Sequence, residues 1–193
     1  MPTPDFVLEL RRHLGHAPLW MPGTTVVILR PAPGRTAIDW ERPIAPEDVE
    51  VLCVRRSDNG AWTPVTGIVD PGEEPAVAAA RELAEETDYV AATWNTLAEF
   101  YASPGFTTEG ARIFLAQDLS LLPEERRTPR EAEEAEFVPT WVRLDEVLDA
   151  VMDGRLHNPS TVLGVLATAQ ARARGWAELR PADAPWLRSP ESL

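Results

Sequence analysis

Residues 67–89 read GIVDPGEEPAVAAARELAEETDY, and the middle of that stretch decides the fold. Pro75 suits a first helical position, where its missing N–H costs nothing, and the alanine-rich run behind it predicts a helix to about Thr87. At about 100° per residue, Glu82, Glu86 and Glu85 fall near 0°, 40° and −60°, roughly, so three carboxylates share one arc. Leu83, Ala76, Ala79 and Ala80 fall between about 60° and 160° and predict the apolar face that packs on a sheet. Carboxylates so crowded repel one another, at a cost a purely structural helix gains nothing by accepting; a bound cation reverses the sign. The alternative is a solvated acidic face, served by Arg81 pairing with Glu85 at i,i+4.

The wider spacing decides between the two. Gly67 is followed after five residues by Glu73, after seven more by Arg81-Glu82-Leu83, and after one more by Glu85-Glu86. This resembles the Nudix box, which runs Gly, five residues, Glu, seven residues, Arg-Glu-apolar, one residue, Glu-Glu, one residue, Gly-apolar. Asp88 stands where that box has glycine, followed by the apolar Tyr89. The glycine usually ends the helix in the left-handed conformation, which costs aspartate roughly 1 kcal/mol. The resemblance implies an α/β/α sandwich with a mixed sheet, and Mg²⁺, with Mn²⁺ as a substitute, held against a diphosphate. Hard divalent cations of this kind suit a few carboxylates plus water and phosphate oxygens. Carried over position by position, it implies Glu82 and Glu86 as principal metal ligands and Glu85 as sharing a metal or accepting a proton. Gly67 and Glu73 would support the site, and Arg81 would hold the carboxylates through an ion pair.

A second resemblance narrows the substrate. Residues 101–109, YASPGFTTE, then Arg112-Ile113-Phe114-Leu115-Ala116, are similar to the ADP-ribose pyrophosphatase branch, which carries a proline at the position of Pro104. Residues 154–158 and 164–167 are similar to it as well. That branch implies attack of water on one phosphorus of ADP-ribose, giving AMP and ribose 5-phosphate, with a glutamate before the last strand as base. The matching loop holds Glu131, Glu133, Glu134 and Glu136; Glu134 is the first candidate and Glu133 the second, against a plain solvated charge run. Pro104, Gly105 and Phe106 would form a wall beside the terminal ribose, unless they are only a hairpin loop. Arg55, Arg56 or Trp62 would lie near adenine, and a homodimer is a family expectation. Residues 17–23 and 62–67 look more like small Nudix proteins assigned to nucleoside triphosphates. Two other readings therefore stand beside ADP-ribose hydrolysis: a (d)NTP pyrophosphohydrolase clearing oxidised nucleotides, and a non-catalytic nucleotide-sensing module.

Outward from the box, residues 5–14 space Phe6, Leu10 and Leu14 as a short amphipathic helix, part of an N-terminal lead-in over 1–22. Residues 26–29 read as a buried strand and 49–56 as its neighbour, across a proline-rich loop; Ser57-Asp58-Asn59-Gly60 signals a tight turn. Residues 67–75 read as loop, 94–102 and 111–117 as strands, 137–142 as another strand, and 144–153 and 159–174 as helices. The main domain is thus expected over 23–174, with 175–193 as an irregular tail. Helices before, between and after strands predict a layered α/β architecture. Trp94 and Trp141 are core candidates; Trp20, Trp40, Trp176 and Trp186 either pack or cover a pocket or dimer surface.

Composition agrees with a globular chain: of 193 residues, 44% are hydrophobic and 25% charged. The formal net charge of −13 disfavours DNA or RNA as a partner. Residues 73–88 and 124–136 carry −5 and −3 of it, so the acidity gathers where a metal site is expected. All 18 basic residues are arginine, which excludes a catalytic lysine or a lysine-bearing P-loop. No apolar run approaches the roughly 18 residues that span a bilayer, and no signal segment opens the chain, so a cytoplasmic location is expected. The single cysteine, Cys53, reads as a buried strand residue rather than a nucleophile. His13, His16 and His157 are too scattered for a zinc site, and His157 reads as a helix-entry residue.

Overall fold

The computed structural model describes residues 12, 15, 21–35, 44–56, 60–104, 107–128 and 138–186. In chain order these form β1 (Pro22–Pro31), β2 (Val49–Arg55), β3 (Trp62–Thr63), β4 (Val65–Ile68), α1 (Pro75–Thr87), β5 (Tyr89–Tyr101), β6 (Gly110–Leu121), β7 (Val138–Arg143), α2 (Leu144–Met152), α3 (Pro159–Ala173) and β8 (Arg180–Pro181). Of the expected N-terminal helix, only Arg12 is described; it is helical.

One mixed sheet organises the chain, in the order β3-β2-β1-β6-β5-β8, with β4 joined to β1 and β7 to β2. The buried run from Val26 to Leu29 makes β1 the centre: it pairs parallel with β6, and antiparallel with β4 through its first half and β2 through its last. Alternation then sends successive side chains to opposite faces. Val26 and Ile28 join Leu52, Val54, Phe114 and Ala116 beneath Ala79 and Leu83 of α1. Val27 and Leu29 join Val51, Cys53, Ile113 and Leu115 beneath Leu144 and Val147 of α2 and Val165 of α3. The result is the expected α/β/α sandwich with a mixed sheet.

Close packing is visible at Gly164 of α3, where a β-carbon would meet Val27 Cγ2 at 2.8 Å. Asn158 caps that helix by accepting from the Thr161 N–H at 3.2 Å, and its neighbour His157 is exposed. Cys53 is buried as expected, and burial pushes its thiol up to about 12. Trp94 and Trp141 pack partly buried against the core beneath α1.

Several elements differ from the sequence reading. Gly67 and Ile68, expected in a loop, end β4, because their backbone pairs with Thr24 and Gly23 of β1. β5 starts at Tyr89 rather than residue 94, and β6 runs on to Leu121, since the two strands pair from Tyr89↔Leu121 to Tyr101↔Gly110. The segment after α3 is not wholly irregular: Arg180–Pro181 pairs with Asn95 and Thr96 of β5, and Trp176 is buried. On α1, Ala80 is exposed and Ala78 buried, so the packed arc is rotated towards the carboxylates.

Candidate metal-binding carboxylate site

The site is a loop, a helix and one strand end. Residues 69–74 turn the chain from β4 into α1; Gly72 adopts φ +88°, and Glu73 closes the turn by donating its N–H to Asp70 O at 2.9 Å. Its carboxylate accepts the Asp70 N–H in return, at 3.1 Å. Pro75 occupies the first turn, where its missing donor costs nothing. At the other end Asp88 takes the left-handed conformation, φ 61° and ψ 14°, in the role of the box glycine. Its N–H donates to Ala84 O and its carbonyl accepts from the Leu122 N–H at 2.8 Å, which pins the helix end to the chain leaving β6. The Thr87 hydroxyl, bonded to Leu83 O at 2.5 Å, also accepts the Tyr89 N–H.

Helical periodicity with this orientation buries two of the three carboxylates. Glu82 is 9% exposed and Glu86 4%, while the Glu85 side chain at the rim keeps 33%. The Glu82 side chain lies across Gly67 of β4: a β-carbon there would fall within it. That contact explains why a glycine begins the motif, since the strand must let the helix bring a carboxylate against its backbone.

Arg81 ties the acids together. Its Nε and Nη2 donate to the two Glu73 oxygens at 3.2 Å each, its Nη1 to Glu82 Oε1 at 2.7 Å and Glu85 Oε2 at 3.1 Å, and its Nη2 to Ile68 O at 3.3 Å. The planar guanidinium makes this fork possible where an ammonium could not. These bonds hold the Glu73 carboxyl below the usual carboxylate range, the Arg81 bond contributing most and the Asp70 N–H next. The same pairing raises Arg81 further above its already high value.

A hard divalent cation fits this donor set. Oxygens of Glu82 and Glu85 already converge on one cationic nitrogen, and Glu86 shares the helix face. Among the described residues no three acid, histidine or cysteine side chains close on a single point. Magnesium matches such an arrangement because it is held by one or two carboxylates and keeps places for water and phosphate.

Other expected site residues are distributed as follows. Glu131, Glu133, Glu134 and Glu136 lie outside the described residues, as do Gly105 and Phe106. Pro104 is exposed at the tip of the β5–β6 hairpin, where Thr107 N–H donates to Ser103 O and Ala102 N–H to Glu109 O. Arg55 and Trp62 are cross-strand partners on β2 and β3. Trp62 packs against the core under α2 and α3, on the face opposite α1, so this pair is not brought to the carboxylates. The sequence reading missed a buried ionic network on the α1 face. Arg112 Nε donates to Glu99 Oε1 at 2.7 Å and Arg180 Nη2 to Glu99 Oε2 at 2.7 Å. Arg112 Nη1 reaches the carbonyls of Ala182 and Ala184, and Trp186 lies over its guanidinium at 5.1 Å. The available signal was a charged residue inside the apolar run of β6.

Fold and site define the class: a mixed-sheet sandwich whose loop–helix–strand unit presents a face of carboxylates tied by one arginine. The model of the NUDIX domain family matches residues 43–160, and the chain belongs to that family. It is 36% identical over 133 residues to the ADP-ribose pyrophosphatase of Mycobacterium tuberculosis, covering 68% of this chain and 62% of that one. It is 39% identical over 100 residues to the ADP-ribose pyrophosphatase of Bacillus subtilis, covering 51% and 52%. The matched part therefore spans little more than half the length of these relatives. A solved structure titled as an ADP compounds hydrolase superposes with a TM-score of 0.61 at 18% identity, over 82% of this chain and 76% of that one, a likeness of fold. Among the described residues no helix is long and apolar enough to cross a membrane.

Proposed function

We propose that this chain is a magnesium-dependent pyrophosphohydrolase that cleaves ADP-ribose to AMP and ribose 5-phosphate, with residues 23–174 as the catalytic unit. The observation that carries the reading is the convergence of Glu82 and Glu85 on one cationic nitrogen, beside Glu86, on a helix locked by Arg81. The likeness to two ADP-ribose pyrophosphatases supports ADP-ribose as the substrate. A bound divalent ion would neutralise diphosphate charge and acidify a water; Mn²⁺ would substitute for Mg²⁺. Glu82 and Glu86 would hold that ion and Glu85 would share it or accept a proton, while Arg81 and Glu73 keep the carboxylates in place. Water oxygen bonds to one phosphorus, the bridging P–O bond breaks, and the bridging oxygen leaves with the other phosphate. Glu134, with Glu133 second, takes the proton released by the water. Contact with the terminal ribose is the role proposed for Pro104, Gly105 and Phe106. We assign the protein to the cytoplasm, as a homodimer.

The test is a magnesium-dependent assay against ADP-ribose, NADH, a nucleotide sugar and a dNTP panel, with products separated by chromatography. AMP and ribose 5-phosphate from ADP-ribose are expected. Pyrophosphate released from a dNTP at far higher efficiency overturns the reading.

A further inference from the structure

The register of three strands places a polar row beside the box helix. Thr24 of β1 is directly opposite Gly67 of β4 on one side and Arg112 of β6 on the other. By alternation with Val26 and Ile28, its side chain is on the α1 face, the face where Glu82 lies across Gly67. Thr24 is 2% exposed, and among the described residues its hydroxyl has no hydrogen-bond partner. Buried hydroxyls are costly unless satisfied, so one kept in this position requires a partner. Arg112 offers no acceptor: its Nε donates to Glu99 and its Nη1 to Ala182 and Ala184, while its Nη2, 2.6 Å from Glu99 Oε1 as an ion pair, is like the Thr24 hydroxyl without a hydrogen-bond partner among the described residues. On the same face the Glu82 side chain, with its Oε1, fills the space over Gly67, the cross-strand partner of Thr24, and so brings a carboxylate acceptor to this row.

We propose that Thr24 is a positioning residue for the metal site: its hydroxyl donates to a water held against the Glu82 carboxylate and so fixes the orientation in which Glu82 takes a divalent ion. This rests on the reading of Glu82 as a metal ligand. A bridging water is the usual way a buried polar group without a protein partner is satisfied, and partners behind a ligand both orient it and tune its affinity. A valine at position 24 keeps the β-branched shape of the strand residue and removes the hydroxyl; a serine keeps the hydroxyl.

The experiment is calorimetric titration of the full chain with Mn²⁺ in the absence of substrate, on wild type, Thr24→Val, Thr24→Ser and Glu82→Gln, with melting temperatures taken in EDTA. Thr24→Val is expected to weaken Mn²⁺ binding about 10-fold. Thr24→Ser should bind within about twofold to threefold of wild type, and Thr24→Val should melt in EDTA close to wild type, placing the effect on the metal rather than the fold. Unchanged affinity in Thr24→Val, with Glu82→Gln impaired, overturns this proposal and leaves the metal reading intact. Serine as weak as valine overturns it too. Unchanged affinity in Glu82→Gln overturns the metal reading and this proposal together.

Discussion

Glu82 lies across the backbone of Gly67, so the side chain of a helix residue occupies the space that any β-carbon on the facing strand would need. The glycine of the box is therefore a packing requirement of the carboxylate. Its φ is not positive, so backbone strain is not the reason. Gly67→Ala should force Glu82 from its place while leaving the rest of the sheet paired. We expect turnover to fall about 10-fold or more, as for disturbed support of a metal ligand, with an unchanged far-UV circular dichroism spectrum. Full activity in the folded variant would show that Glu82 tolerates displacement.

Glu86 is 4% exposed on the same packed arc, and as an assigned metal ligand it has more to lose than a supporting residue. Glu86→Gln keeps the size and removes the charge. Turnover should drop by more than the roughly 10- to 100-fold typical of changes behind a ligand. Steady-state kinetics over a magnesium titration measures it, and unchanged turnover would remove Glu86 from the metal site.

The Glu73–Arg81 pair predicts a pH effect with a definite sign. Glu73 is lowered in the folded chain, chiefly by the Arg81 bond, so its contribution to stability is complete above the unfolded glutamate value of about 4.3. It is lost as pH falls through the lowered folded value. Arg81, raised, stays charged throughout this range. The melting-temperature gap between wild type and Glu73→Gln should be constant from about pH 6 to 8 and close progressively below about pH 4. A gap that does not change with pH would mean that the pair contributes by shape alone.

How much of this was legible depended on how local each cause was. The helix Pro75–Thr87 was readable at both ends, because Pro75 presets the first turn and the acid spacing follows helical angles. Its rotation was not: alanines give the wheel little contrast, and Glu82 and Glu86 enter the packed arc that Ala80 was expected to share. The first residues of β5 were missed because their strand character comes from pairing with residues 117–121, far along the chain. Arg180–Pro181 has no periodicity to read; Thr96 Oγ1 bonds Pro181 O at 3.0 Å and the strand exists through that partner. Thr24 became visible only with the register that sets it beside Gly67.

Asp88 is a non-glycine residue at φ 61°. Left-handed backbone costs an L-residue roughly 1 kcal/mol, less for aspartate than for most, whereas glycine adopts it freely. Asp88→Gly should therefore stabilise the chain by about 0.5 kcal/mol, offset in part by the freedom glycine adds to the unfolded state. That corresponds to a rise of about 1–2 °C in melting temperature for a chain of this size. A fall in melting temperature would mean that the aspartate side chain contributes more than its backbone costs.

The network further along the same cross-strand row, at Arg112 and Glu99, makes the sharpest stability prediction. Glu99 and Arg112 have side chains only 8% and 3% exposed, 2.6 Å apart, and Glu99 also holds Arg180 of β8. A carboxylate shared between two guanidinium groups pins the C-terminal segment to the sheet, since Arg112 in turn donates to Ala182 and Ala184. Glu99→Ala strands the Arg112 charge in a place with little water. Breaking such a buried pair from one side typically costs about 3–5 kcal/mol, far more than an exposed pair is worth. Chemical denaturation should show a loss near the lower figure, because Arg180 is partly exposed and can turn to solvent. The paired variant Glu99→Ala/Arg112→Met should recover part of that loss, since an uncharged side chain of similar length leaves no stranded charge. A single-variant loss below about 1 kcal/mol would show that water reaches Arg112 as soon as its partner is removed.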